Sequence, residues 1–183
     1  VLIMMNRKYE HVSFDLDGTL IDSIDVMRIA WEATVDKFHL YHDFFEYHKE
    51  VGLPFPVIME SMGIIDEERE IERFYFSKTE EFSDQIKVYD GAIEFIESLK
   101  PNGISTSIIT SKPRMNTESL LDSIDLKVDM LICGDDLIGS KPTALPMQYV
   151  KKELNLGEGK KIIYFGDMLS DIVFCVNSKI DYC

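Results

Sequence analysis

Phe14-Asp15-Leu16-Asp17-Gly18-Thr19-Leu20 decides how this chain is read. The apolar run His11-Val12-Ser13-Phe14 leads into two aspartates one residue apart, then a glycine, a threonine and a second apolar step. In a strand, residues i and i+2 share a face, so Asp15 and Asp17 start side by side. Two carboxylates that close repel each other unless a cation or a shared proton sits between them. Gly18 supplies the backbone freedom for a sharp turn directly after the strand. A strand ending in a paired-acid turn suits Mg²⁺.

Three further apolar runs read as buried strands, so the set is Glu10–Asp15, Ile104–Thr110, Met130–Cys133 and Lys161–Phe165. Each is followed by a turn and a helical pattern, the alternation of a parallel sheet with crossover helices. One helix opens at Pro113, a residue suited to a first helical turn, and another follows Pro142 and carries Leu145 and Tyr149. The fold class is therefore α/β, a doubly wound parallel sheet. Residues 21–87 break the rhythm, offering no strand. Met27, Trp31, Thr34 and Phe38 fall on one helical face, as do Ile71, Phe74, Tyr75, Lys78 and Phe82 on a later helix beginning in the acidic run Asp66-Glu67-Glu68. This predicts an inserted α-helical cap over 21–87, with 1–20 and 88–183 forming the core. An insertion directly after Asp17 sits at the carboxyl edge of the sheet, where doubly wound proteins bind ligands.

Parallel strands bring their carboxyl ends to one edge. That edge collects Asp15 and Asp17, the hydroxyl of Thr110 with Ser111 after it, Lys141 from Gly139-Ser140-Lys141-Pro142, and Asp167 and Asp171 from Gly166-Asp167-Met168-Leu169-Ser170-Asp171. Hard oxygen ligands suit Mg²⁺, which takes one or two carboxylates, waters and a substrate phosphate. A carboxylate can act as nucleophile toward a phosphoryl group, a second can shuttle the proton, and a lysine and a hydroxyl can hold the transferring oxygens.

Composition agrees. The net charge of −14 excludes a nucleic-acid or anionic-membrane partner, so a site for phosphate compounds must be neutralised locally. A hydrophobic content of 45% is that of a globular chain with a core. The acidic surface fits a monomer or a weak homodimer. The three cysteines, Cys133, Cys175 and Cys183, have no C-x-x-C spacing and read as reduced thiols of a cytoplasmic protein. Val1-Leu2-Ile3-Met4-Met5 is too short for an anchor. His39, His42, Glu46 and His48 have spacings a transition metal could use, yet Tyr41, Phe44, Phe45 and Tyr47 interleave with them, which favours an ordinary cap segment.

In this order the motifs resemble the haloacid dehalogenase-like (HAD) hydrolase superfamily, and the helical insertion resembles its phosphoglycolate phosphatase-type branch. The likeness runs from about Glu10 to Asp171, includes Leu20-Ile21-Asp22-Ser23 behind the first motif, and extends to the cap loop Gly52-Leu53-Pro54. Lys141-Pro142-Thr143-Ala144-Leu145 departs from the family in lacking the Pro-Asp that often follows the lysine. The resemblance implies a Rossmann-like core and a Mg²⁺-dependent phosphatase for a small phosphorylated metabolite. It implies Asp15 as nucleophile and metal ligand, and Asp17 as general acid/base offering its carbonyl to Mg²⁺. Thr110 and Lys141 would hold the phosphoryl group with amides near Leu16 and Ser111, Asp167 would be a metal ligand, and Asp171 would support the metal directly or through water. A sugar-phosphate mutase would share this nucleophile, and a non-catalytic regulatory member would share the fold. Ile180-Asp181-Tyr182-Cys183 reads as the start of a further strand.

Overall fold

The computed structural model describes residues 8–183, so the Val1–Met5 segment lies outside the described residues. Strand β1 (His11–Phe14) is buried at all four positions, because it is the middle of a five-stranded parallel sheet. Its neighbours are β4 (Ser105–Ile109) and β6 (Ile162–Phe165), with Phe14 level with Ile108 on one side and Phe165 on the other. Strand β5 (Met130–Ile132) flanks β4 and β7 (Asp181–Tyr182) flanks β6, so the expected strand at the end of the chain is present.

Strand alternation decides what covers each face. Val12, Phe14 and Ile108 pack with Ile96 and Leu99 of α5 (Ala92–Leu99) and with Leu120 and Leu121 of α6 (Arg114–Ser123). Ile109, Ile132, Ile162 and Tyr164 point the other way, onto Met147 and Val150 of α7 (Leu145–Glu153) and Phe174 and Cys175 of α8 (Leu169–Ser178). The fold is the expected doubly wound α/β sheet, with a helical layer on each face. The chain runs outward from β1 to β4 and β5, then returns past β1 to β6. The reversal lies beside the end of β1, the usual place for a ligand in such sheets.

Between β1 and β4 the chain builds α1 (Ile24–Phe38), α2 (Phe44–His48), α3 (Phe55–Ser61) and α4 (Glu70–Glu81). These bury a separate core around Trp31, Tyr47, Phe55, Ile58, Ile71 and Tyr75, with Trp31 stacked on Tyr47 at 4.2 Å. Asp43 opens α2 through a capping box with Glu46. The reading of 21–87 as strandless needs one correction. Where the chain leaves and re-enters the core, β2 (Ile21–Asp22) and β3 (Lys87–Val88) pair antiparallel. Two-residue strands have no periodicity to read, and partners this far apart in sequence give no local signal. Helix α4 also starts later than its acidic run. Glu70 is its first residue, and Asp66 reaches back to accept bonds from the amides of Ile71 and Glu72 at 3.0 and 2.9 Å. Among the described residues no helix is long and apolar enough to cross a membrane.

Candidate active site

Asp15 sits one residue past β1 and is buried, and the sheet brings the other strand ends to it. Lys141 enters from the segment before α7 and donates to Asp15 Oδ1 at 2.8 Å, to Asp171 Oδ1 at 2.7 Å and to the Tyr164 hydroxyl at 3.1 Å. All three donor directions of its ammonium are thereby used, and the side chain is only 1% exposed. Burial works to lower the Lys141 pKa, but the two carboxylates outweigh it and hold the group above its ordinary value. Burial pushes Asp15 up to about 7; Lys141 opposes this, while Asp171 and Asp17 add to it.

Asp171 caps α8. Its Oδ2 accepts from the Met168 amide at 3.0 Å, and its Oδ1 lies within reach of Lys141 and of Tyr164 Oη at 3.2 Å. With both oxygens engaged, it fixes Lys141 and therefore Asp15. Asp167, on the turn before α8, is the open member of the group, and desolvation at the rim with the nearby Asp171 charge pushes its pKa up. One carboxylate oxygen from each of Asp15, Asp167 and Asp171 lies within 4.8 Å of the others, the one such grouping of possible metal ligands among the described residues. The donor set is all carboxylate oxygen, with no sulfur or imidazole, and fits a hard ion such as Mg²⁺ rather than zinc. The histidines of the cap make no such cluster; His42 instead lies 3.4 Å from Glu46, one helical turn away.

The Asp17 carboxylate stands apart from that trio. Its Oδ1 accepts from Ser23 Oγ at 2.6 Å and pairs with Lys112 Nζ at 3.0 Å. Both partners were missed in the sequence. Their positions gave only a weak signal: Ser23 closes the extended first motif, and Lys112 is two residues beyond Thr110, but neither position names Asp17 as the partner. Thr110 is buried at the end of β4 and accepts from the Lys112 amide at 3.1 Å, which fixes that turn. Ser111 points the other way, donating to the Gly52 carbonyl of the cap loop at 2.6 Å. Glycine is required where loops meet. A Cβ on Gly18, at φ +81°, would overlap the Asp167 carboxylate, and one on Gly52, at φ +100°, would press on Ser170 Oγ.

Above these groups is a cavity of about 210 Å³ lined by Asp15, Asp17, Thr110, Ser111, Lys112 and Asp167 below and by cap residues above. Lys141 lies beneath Asp15, outside that lining. Helix α4 is tied to α6 by Glu80, which accepts from Asn116 Nδ2 at 3.3 Å and Ser119 Oγ at 2.8 Å.

A family model described as haloacid dehalogenase-like hydrolase matches residues 12–183. Phosphoglycolate phosphatase of Colwellia psychrerythraea is 30% identical over 192 residues, covering 97% of this chain and 84% of the relative. Pyrophosphatase PpaX of Bacillus cereus is 30% identical over 175 residues, covering 91% and 78%. The crystal structure of a hydrolase from Pseudomonas syringae superposes with a TM-score of 0.83 at 23% identity, covering 96% of this chain and 82% of that one. The chain belongs to the haloacid dehalogenase-like hydrolase family.

Proposed function

We propose that this phosphatase hydrolyses a small phosphate monoester through an aspartyl-phosphate on Asp15, with Mg²⁺ as cofactor. The observation that carries the reading is the pairing of two differently supported carboxylates across one cavity: Asp15 held by the buried Lys141, and Asp17 held by Ser23 and Lys112. Separate partners allow separate roles: Lys141 balances the charge of an ionised Asp15 as nucleophile, while Asp17 lies outside the metal trio with hydrogen bonds of its own. An Asp15 oxygen attacks phosphorus, and the bond from phosphorus to the ester oxygen breaks. Asp17 relays a proton to the departing alkoxide. Water then attacks the acyl phosphate, Asp17 takes the proton, and phosphate leaves with the Asp15 carboxylate restored. Thr110 and the turn to Lys112 are placed to hold the phosphoryl oxygens, with Lys141 balancing charge from below.

Asp15 and Asp167, with the Asp17 carbonyl, would hold Mg²⁺, and Asp171 would act through Lys141. Bound there, the ion would offset phosphoryl and carboxylate charge. The substrate would be a small phosphorylated metabolite, since the cavity is smaller than the ~300–1,000 Å³ typical of drug-sized ligands. The test is phosphate release from a panel of monoesters. Activity should vanish with EDTA, return with Mg²⁺, and be absent from Asp15→Asn at unchanged circular dichroism. Turnover by a folded Asp15→Asn protein would remove the nucleophile from the scheme.

A further inference from the structure

The two ends of the cavity differ in chemistry. The catalytic end has its cations, Lys112 in the lining and Lys141 beneath Asp15. The cap end is walled by Tyr47, Phe55, Tyr75 and Phe76 with Met27 and Ile58. Among the described residues no arginine lines the cavity. Its one lysine, Lys112, is committed to Asp17, while His48, beside Phe44, is the one imidazole in the lining. Asp22 adds a further carboxylate there.

The aromatic wall is fixed by its own packing. Phe55 and Tyr75 have ring centroids 5.1 Å apart, Tyr47 and Tyr75 5.3 Å, and Trp31 backs Tyr47 from behind. Burial pushes the Tyr47 and Tyr75 phenols up, so both are neutral and add no cation to the wall. The lining on this side is therefore largely uncharged ring and aliphatic side chain.

This bears on the leaving group. Phosphoglycolate releases an alcohol that carries a carboxylate, and pyrophosphate, an anhydride, releases a second phosphate, so each brings a negative charge toward the cap end. A charge brought against this wall meets no uncommitted lysine or arginine among the described residues of the lining, and nearby carboxylates make its approach less favourable still. A neutral, apolar leaving group loses nothing there and removes its own surface from water.

We propose that the cap selects phosphate monoesters of small, uncharged, largely apolar alcohols, and disfavours esters whose leaving group bears a carboxylate or a second phosphate. The inference rests on the phosphatase reading above and narrows its substrate class. Met27, Phe55, Ile58 and Phe76 are the specificity-determining surface.

The test compares kcat/KM, with Mg²⁺ present, for butyl phosphate, phosphoglycolate, its neutral carboxamide and pyrophosphate. The carboxamide differs from phosphoglycolate in charge and hardly at all in size. Butyl phosphate should be best, the carboxamide intermediate, and phosphoglycolate about tenfold or more below butyl phosphate. Faster turnover of phosphoglycolate or pyrophosphate than of both neutral esters would overturn the inference and leave the phosphatase reading standing. No phosphate release from any of the four would remove the phosphatase reading, and the inference with it. Met27→Lys, or Leu53→Lys on the cap loop if the first does not fold, should move the phosphoglycolate-to-butyl phosphate ratio upward by about tenfold. An unchanged ratio in a folded variant would show that this wall does not meet the leaving group.

Discussion

At the scale of single residues, the site separates one carboxylate from another by what each is bonded to. Ser23 and Lys112 orient Asp17, so weakening either should resemble a mild loss of the proton shuttle. Ser23→Ala should lower kcat/KM about 3–10-fold on an alkyl phosphate and much less on p-nitrophenyl phosphate, whose leaving group needs no proton. Asp17→Asn should show the same bias more steeply. An equal loss on both substrates would separate Ser23 from proton transfer. Lys141 is a different case because it is the cation between two buried acids. Lys141→Met leaves Asp15 and Asp171 facing each other unpaired and should cost about 3–5 kcal/mol in urea unfolding, alongside the activity. A near-neutral effect on stability would mean that the pair is relieved in another way. Asp15, Asp17 and Asp167 were legible in the sequence because they follow strand ends, and Lys141 and Asp171 because they stand where the next crossover helix begins. Ser23 and Lys112 were not, because their role is set by a partner carboxylate whose direction only the folded turn defines.

At the scale of elements, β1 carries the site on one end and a buried polar stripe along its length. His11 bonds Ser105 Oγ at 2.8 Å and Ser107 Oγ at 2.9 Å, and Ser13 bonds Ser107 at 2.6 Å. Burial pushes the His11 pKa down from 6.5 to about 4, so in the fold the ring stays neutral where the unfolded chain protonates it. In that window the unfolded state binds the extra proton, so stability falls as pH falls from about 6.5 to about 4. The slope is roughly 1.4 kcal/mol per pH unit and the total about 3 kcal/mol. Asp15 contributes with the opposite sign, since its raised pKa makes the folded state the better proton binder up to about pH 7. The readable quantity is therefore the difference between the wild type and His11→Gln in urea midpoints from pH 7.5 to 4.5. The wild type should lose more than the variant; parallel curves would place the ring's titration outside this account. Strands β1, β4, β5 and β6 were legible from their apolar runs, and α1 from its apolar face. The β2–β3 pair and the start of α4 were not, since one depends on a long-range partner and the other on Asp66 folding back over four residues.

At the scale of the whole molecule, charge and fold meet at one rim. The chain carries a net charge of −14, and the doubly wound sheet gathers Asp15, Asp17, Asp167 and Asp171 at the point where the strand order reverses. Folding therefore concentrates like charge, which Lys141 and Lys112 offset in part and a bound cation would offset further. An ion that binds the folded form alone stabilises it by mass action, about 2.7 kcal/mol at a hundred times its Kd. For a chain of this length each kcal/mol is worth about 2–4 °C, so saturating Mg²⁺ should raise Tm by about 5–10 °C over the EDTA-treated protein. Asp167→Asn removes the open carboxylate of the trio without touching the Lys141 network, and so predicts two changes of opposite sense. Without metal the variant should melt higher than the wild type, because a like charge is gone, and its response to Mg²⁺ should shrink or vanish. Calorimetry reads both without substrate, so the metal site can be judged apart from turnover. A variant that keeps the full Mg²⁺ shift would move the ion away from Asp167, and the gathering of acids at this rim would need another cause.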